Sequence, residues 1–374
     1  QLADGFHQRG LATTVLTAQC DKRWPKRCVL GEVPVVRLPL TRRGWGRIRY
    51  RRTLSTWLRE HRNEFDLLLV SGLKEDAYVV CGMAPKLNVP AILRAEASGR
   101  SGDCSWQQRV RLGRHIQRRC ATAQAVIATS RQTSGELVNH GYSPDRVHVI
   151  ANGTPLAGLT DSHKRDVARS MLVDAHPVFG VPPQAPLVVF AGRFDEASGV
   201  ARLVDAWRPV ARRWPKARLW LVGDGPLGPK IWSRIKGLEL AEQIILPGWF
   251  DDMEGVLQAA NLFVRPGRSG VTASLLEAMA SGVPVIASHT PEVRELIENN
   301  KHALLVASDD TPALSSAIQQ LLADNELANA LSAAAWQRVQ QFSLDNMIRG
   351  HLNLFERCLA NQQITGTDQK PTLC

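Results

Sequence analysis

Short apolar, β-branched runs alternate with helical stretches along almost the whole of this chain, and that alternation limits what it can fold into. In the first half the predicted strands are 13–18, 33–39, 65–72, 90–97, 125–130 and 146–153, with helices such as 53–61 and 110–121 between them. Strands that read as near-continuous apolar runs, separated by helices, belong in parallel sheets covered on both faces. The pattern breaks after Asn152-Gly153. Residues 154–186 hold a polar stretch from Asp161 to Asp166 and then Val181-Pro182-Pro183, and read as an interdomain connection with room for a short helix. The alternation then restarts, with strands at 186–191, 217–223, 243–247, 261–266 and 283–288 and helices at 201–214, 272–281, 291–299, 312–323 and 326–342. At 374 residues the chain is too long for one ordinary domain, and two successive doubly wound α/β lobes are the economical account.

Composition narrows the class further. Hydrophobic residues make up 44% and charged residues 22%, as in soluble globular proteins, and no run approaches the ~20 apolar residues of a spanning helix. The seven cysteines are scattered without a C-x-x-C pair. That argues against a zinc site or a disulfide framework and fits a reducing cytoplasm. The net charge of +11 is uneven: residues 1–180 carry +13 and the rest −2. Much of the excess lies between Lys22 and Arg62, including Arg42, Arg43, Arg47, Arg49, Arg51 and Arg52. A solvated basic face would account for it, and so would attraction to an anionic membrane surface or an acidic acceptor. Neither zinc-finger spacing nor an RNA-binding aromatic motif supports nucleic acid as the partner.

In open parallel sheets ligands gather beyond the carboxyl ends of the strands, where loops and helix N-termini present unpaired N–H groups. Four segments of the second half sit there. Val188 to Arg193 runs from a strand into Gly192, and Arg193 emerges where a guanidinium can grip phosphate with two N–H groups. Leu221-Val222-Gly223-Asp224-Gly225-Pro226 is a second strand entering a glycine-rich turn, and Leu246-Pro247-Gly248-Trp249 follows a third. The fourth, Arg265 to Val285, ends a strand at Pro266 and passes through a loop to a Thr272 N-cap. Its helix turns Leu275, Leu276, Met279 and Ala280 inward, and Gly282 and Pro284 end it. Glu277 falls at the edge of that apolar arc. A half-buried carboxylate there needs donors, which ribose hydroxyls would supply; a Glu present for helix propensity is the alternative.

Taken together, these segments resemble the retaining GT-B glycosyltransferases, most closely the large family 4. The likeness lies in the strand–Gly-Arg motif, the V-G-D-G-P turn and the L-L-E-A-M-A-x-G-x-P-V helix, in order and at matching separations, and it continues through Glu292–Val306. The resemblance implies an α/β GT-B fold, two Rossmann-like doubly wound parallel-sheet lobes facing a cleft. Residues 1–170 would form the acceptor-side lobe and 171–343 the nucleotide-sugar lobe. A terminal helix at 344–362 would cross back to the first lobe, leaving 363–374 as a flexible tail. It further implies transfer of a hexosyl unit from a nucleoside diphosphate sugar to a carbohydrate or lipid-linked acceptor, with retention at the anomeric carbon. No cofactor and no tightly held metal are expected, and the setting would be cytoplasmic, peripheral at the inner membrane face. Arg193 would hold the donor diphosphate and Glu277 the ribose. Gly192, Gly223, Gly248 and Trp249 would line the donor site, and backbone N–H groups at Gly270, Val271 and Thr272 would face the phosphates and sugar.

The sequence also departs from that family. Its paired glutamates would fall at 269 and 277, but the first is Ser269; its phosphate-binding Lys would fall at Ser198. Arg268 and Arg202 are the candidate substitutes. The first residues read as the end of a helix followed by a second strand, so the usual opening strand and glycine-rich loop are expected to be missing, as in a fragment. The family's cleft-facing His has no clear match on the first lobe, where Arg94 and Glu96 stand instead; as cleft residues either could face the donor sugar, or the two pair with each other, which is the favoured expectation. Two readings therefore stay open: a glycosyltransferase, impaired at Ser198 and Ser269, and a non-catalytic nucleotide- or glycan-binding module of the same fold. Sugar-nucleotide epimerisation fits the L-L-E-A-M-A segment less well.

Overall fold

The computed structural model describes residues 1–40, 46–99, 102–182, 184–268 and 273–367, the last five as backbone only. The chain forms two compact units, Gln1–Asn152 together with the segment from Leu344, and Gly153–Ser343.

The first unit opens with α1 (Leu2–His7), β1 (Val15–Gln19), β2 (Arg27–Leu30), β3 (Val33–Pro39) and α2 (Gly46–Glu60). It continues through β4 (Leu68–Ser71), α3 (Glu75–Leu87), β5 (Ala91–Ala95), α4 (Asp103–Arg109), α5 (Gly113–Cys120), β6 (Ala125–Ala128), α6 (Arg131–Asn139) and β7 (Val147–Val149). Strands β4-β5-β6-β7 form a parallel sheet, while β1-β3-β2 form a separate one in which β2 runs antiparallel. Among the described residues β1 and β4 each pair on one side only, so this unit's sheet comes in two pieces. On the four-stranded sheet Leu93, Ala95, Val126 and Ala128 face one core, and Ile92, Ala125 and Ile127 the other.

The second unit runs α7 (Ser162–Ala175), β8 (Leu187–Ala191), α8 (Val200–Arg213), β9 (Arg218–Val222), α9 (Gly228–Gly237), β10 (Ile244–Gly248) and α10 (Met253–Ala259). It then adds β11 (Leu262–Arg265), α11 (Ala273–Ala280), β12 (Val285–Ser288), α12 (Pro291–Leu296), β13 (Leu304–Val306), α13 (Thr311–Ala323) and α14 (Asn325–Val339). Its six strands are all parallel, in the order β10-β9-β8-β11-β12-β13. Side chains alternate: Leu187, Val189, Trp220, Phe263 and Val285 face a core closed by α7, α10, α11 and α14, and Val188, Phe190, Leu221, Val264 and Ile286 face one closed by α8, α9 and α13. Both faces are dry, which is why these strands read as unbroken apolar runs.

Residues 153–170, expected with the first lobe, pack in the second unit. Helix α7 is tied there by Arg165 and Arg169, whose Nε groups donate to the carbonyls of Ala260 (3.1 Å) and Ala259 (3.0 Å). The last helix, α15 (Leu344–Thr367), belongs to the first unit and runs past residue 362, where a tail was expected to begin; between Gly350 and Gly366 no proline or glycine interrupts it. Its Ile348, Leu354, Phe355 and Cys358 cover Phe6, Ile92, Ala125 and Ile127, and the carbonyl of Cys358 accepts from Gln124 Nε2 (2.7 Å). The remaining residues of the expected tail, 368–374, lie outside the described residues, as do Arg42 and Arg43.

Candidate nucleotide-sugar site

Numbered within the second unit, its strands lie in the order 3-2-1-4-5-6, so the winding reverses between β8 and β11. Helices α8 and α9 lie on one face, and α10 and α11 on the other. At such a switch point the loops leaving the two central strands part in opposite directions and open a crevice at the carboxyl ends of the strands.

On one side of the switch point the exits of β8, β9 and β10 join edge to edge. Gly192 N donates to Val222 O (3.0 Å), Gly223 N to Gly248 O (2.8 Å) and Phe194 N to Asp224 O (2.9 Å). The buried Phe194 ring anchors this shelf in the core below α8. Arg193 lies between Gly192 and Phe194, 69% exposed, with Nε 3.7 Å from Asp195 Oδ2. At the edge-strand end of the shelf Trp249 is 70% exposed, a free aromatic face.

On the other side the loop before α8 locks onto the exit of β11. Gly199, at φ +71°, has no room for a side chain, since a Cβ would stand 2.3 Å from the Pro266 carbonyl oxygen. Arg268 N donates to Ala197 O (2.8 Å), and Arg202 Nη2 to Pro266 O (2.8 Å). Ser198 is consumed locally, its hydroxyl donating to Asp195 O (2.7 Å) and its N–H to Asp195 Oδ1 (2.9 Å). The guanidinium groups of Arg202 and Arg268 converge on one oxygen of Asp309, in the loop after β13, Arg202 at 3.5 Å and Arg268 in direct hydrogen-bond contact. Burial, and then the charge of Arg268, press the Arg202 pKa down, with Asp309 opposing them. Beneath them Arg265 is buried at the end of β11, its pKa pushed down to about 10 by desolvation while buried Glu292 acts against the shift; it stays cationic at neutral pH.

Glu277 lies in the second turn of α11 between buried Leu276 and Ala278, half-buried itself, with no side-chain hydrogen bond among the described residues. Burial raises its pKa. Two partly exposed arginines, the exposed Arg193 and the N-terminus of α8 suit phosphate oxygens, and a carboxylate lacking donors suits hydroxyl groups. The expected contributors Ser269, Gly270, Val271 and Thr272 lie outside the described residues. Arg94 and Glu96 belong to the first unit. Arg94 is buried at the end of β5, bonded through Nη1 to Glu96 Oε1 (2.6 Å) and through Nη2 to Asn152, while Glu96 N donates to Asp103 Oδ2 (2.8 Å). Sequence reasoning overlooked Asp309 and the buried Arg265 and Glu292. An arginine closing an apolar strand was the available signal for Arg265, whereas Asp309 had none.

Residues 185–324 match the family model described as glycosyl transferases group 1, and residues 1–157 the one described as Glycosyltransferase Family 4. A D-inositol 3-phosphate glycosyltransferase of Jonesia denitrificans is 28% identical over 251 residues, 62% of this chain and 57% of that protein. The chain spans about half the length of the first curated relatives it matches, 57%, 50% and 55%. Among solved structures, the sucrose-phosphate synthase of Thermosynechococcus elongatus is similar at a TM-score of 0.78 and 23% identity, covering 96% of this chain and 92% of that one. Anabaena HepE in complex with UDP-glucose is similar at 0.72 and 18% identity, covering 88% and 86%. No helix among the described residues is long and apolar enough to cross a membrane. Two glycosyltransferase models thus match this chain in succession, and its two Rossmann-like units have the GT-B fold of the solved structures it resembles.

Proposed function

We propose that the chain transfers a hexosyl unit from a nucleoside diphosphate sugar to a carbohydrate or lipid-linked acceptor, with retention at the anomeric carbon, and that the donor binds at the switch point between β8 and β11. The observation that carries this reading is the convergence of Arg202 and Arg268 beside the Gly192–Arg193 shelf. The UDP and UDP-glucose complexes of HepE support a nucleoside diphosphate sugar as the ligand class. In this reading Arg193, Arg202 and Arg268 neutralise the departing diphosphate, whose charge grows in the transition state, so they lower the barrier as well as improve binding. Glu277 accepts hydrogen bonds from the donor ribose, and Trp249 offers its face to the base. With arginines carrying the phosphate charge, turnover should survive removal of divalent cations by EDTA.

The test is calorimetric titration with UDP and GDP, followed by donor depletion over a panel of nucleotide sugars. Binding of neither nucleotide would remove the site assignment. One observation favours a second reading, a binding module with weakened catalysis: the Ser198 hydroxyl, at the position where a lysine was expected, is spent on Asp195 O. Nucleotide binding without any donor consumption would select it.

A further inference from the structure

At the opposite end of the first unit's parallel sheet from Arg94 and Glu96, where the chain enters β5 and β6, an open cleft of about 330 Å³ lies between α3 and α15. That is the lower end of the ~300–1,000 Å³ range of small-ligand sites. Five neutral hydrogen-bonding side chains line it: Asn88 after α3, Thr122 and Gln124 before β6, and Asn361 and Gln362 of α15. Pro85, Val89 and Pro90 supply apolar wall between them. No carboxylate, guanidinium, ammonium or imidazole group lines the cleft among the described residues.

The walls are held in place without a ligand. Helix α3 ends in a left-handed residue, Asn88 at φ +51°. Arg62 donates to the carbonyls of Leu87 and Asn88, the latter at 3.1 Å. Arg146 Nη1 donates to those of Thr122 (3.4 Å) and Ala123 (3.2 Å). Carbonyls at a helix end need such donors, and supplying them from two arginines fixes both rims of the cleft. The amides are oriented as well. Gln124 Nε2 donates to Cys358 O (2.7 Å), and Gln362 Nε2 to Asn88 Oδ1 (3.2 Å). Gln124 Oε1 and Asn88 Nδ2 then remain as an acceptor and a donor with no partner among the described residues. A sugar hydroxyl both donates and accepts, so a cleft offering amide oxygen and amide nitrogen together suits neighbouring hydroxyls. The proline rings suit the C–H face of a pyranose. A charged ligand would lose hydration there without gaining a counter-charge.

We infer that this cleft is a second carbohydrate site, taking a neutral pyranose unit and separate from the nucleotide shelf of the second unit. The full chain is titrated with methyl α-glucoside, methyl α-galactoside, methyl α-mannoside and the methyl glycoside of N-acetylglucosamine, followed by saturation-transfer difference NMR with and without saturating UDP. Glucuronate is the charged comparison. At least one neutral glycoside is expected to bind, with or without UDP, and glucuronate is not. Asn88→Gly tolerates the left-handed backbone while removing the amide, and should weaken that binding at least ~5-fold, about 1 kcal/mol. Thr122→Phe should fill the cleft and abolish binding. Lys216→Gln, in the second unit, should leave it unaltered, and UDP affinity should be unchanged in all three. Sugar binding that ignores both cleft variants while they melt as the parent does, or that UDP displaces, would place the sugar elsewhere and overturn the inference. So would glucuronate binding as well as the neutral glycosides, or failure of all four glycosides to bind. Because UDP is titrated in parallel, loss of this inference and loss of the donor-site reading can be told apart.

Discussion

The backbone at Gly223 passes so close to Gly192 that a Cβ at 223 would lie 2.0 Å from the Gly192 carbonyl oxygen. Gly223 also has φ +134°, a region other residues avoid. The shelf formed by the exits of β8 and β9 therefore depends on the absence of a side chain. Gly223→Ala should destabilise the second unit by at least ~2 kcal/mol, from backbone strain and contact together, and weaken UDP binding. Gly248 is the control: its φ is +85°, but no atom lies within 4 Å of the added Cβ. Gly248→Ala should cost only about 1 kcal/mol. Urea unfolding of both variants checks this, and equal losses would show that the close approach is not what matters.

Asp309 occupies the two arginines that the donor diphosphate would use, so carboxylate and phosphate compete for them. Asp309→Asn should tighten UDP binding a few-fold. Arg193→Ala or Arg202→Ala should weaken it by ~1.5–3 kcal/mol, the range for a charge-assisted contact. Ser198→Lys would place a new cation at the head of α8, and the gain should appear in kcat more than in donor affinity. Calorimetry on the nucleotide, paired with turnover on a matching sugar donor, separates these effects. Unchanged UDP affinity in both alanine variants would place the nucleotide elsewhere.

Legibility in the sequence followed burial. Strands β8, β9, β11 and β12 are apolar throughout because helices cover both their faces, and each was read to within about two residues of its ends. Strand β2 was missed because its residues are mostly exposed, and it is held by pairing with β3 across the turn at Gly31-Glu32. Strand β13 has only three residues, too few to show a period. The helix expected at 110–121 is the shorter α5, separated from the preceding α4 by Val110, which is extended at ψ 144°; a Cβ on Gly113 would overlap the Gln107 carbonyl oxygen at 1.5 Å. At the site, Arg193 and Glu277 were legible because each interrupts a local pattern. Asp309 was not, because its partners lie 107 and 41 residues away and only the strand order brings them to it.

Glu277 offers a test in which stability and binding move in opposite directions. Burial raises its folded pKa above the usual carboxylate range. The unfolded chain therefore holds the charge more easily, and the ionised carboxylate burdens the fold once pH rises through the folded pKa. Glu277→Gln should stabilise the nucleotide-free protein at neutral pH, with the advantage vanishing below the unfolded pKa, where both side chains are neutral. The same variant should bind UDP less well, because an amide accepts ribose hydroxyls less strongly than a carboxylate. Thermal melts at two pH values with a nucleotide titration suffice. A variant less stable than the parent at neutral pH would show instead that Glu277 has a structural partner.

The first unit should be acid-sensitive through one residue of α15. His351 is fully buried against Phe6 and Phe355, its Nδ1 2.8 Å from Met347 O, and its Nε2 lacks a hydrogen-bond partner among the described residues. Desolvation is the main cause that lowers its pKa to about 4. The Met347 carbonyl opposes the shift, the Arg94 charge adds to it and the Glu96 charge opposes it. The unfolded chain takes up a proton near pH 6.5, while the folded unit resists until about 4, so stability is fully present above 6.5 and is lost as pH falls between those values. The shift corresponds to roughly 3 kcal/mol. That loss matters because α15, with Phe6 of α1, packs on one face of the β4–β7 sheet. His351→Leu removes the titrating group and keeps an apolar side chain of similar reach, so it should flatten the pH dependence in that window while leaving stability at neutral pH within about 1.5 kcal/mol of the parent. Urea unfolding followed at several pH values between 6.5 and 4 measures the slope. An undiminished slope in His351→Leu would assign the acid sensitivity to other groups.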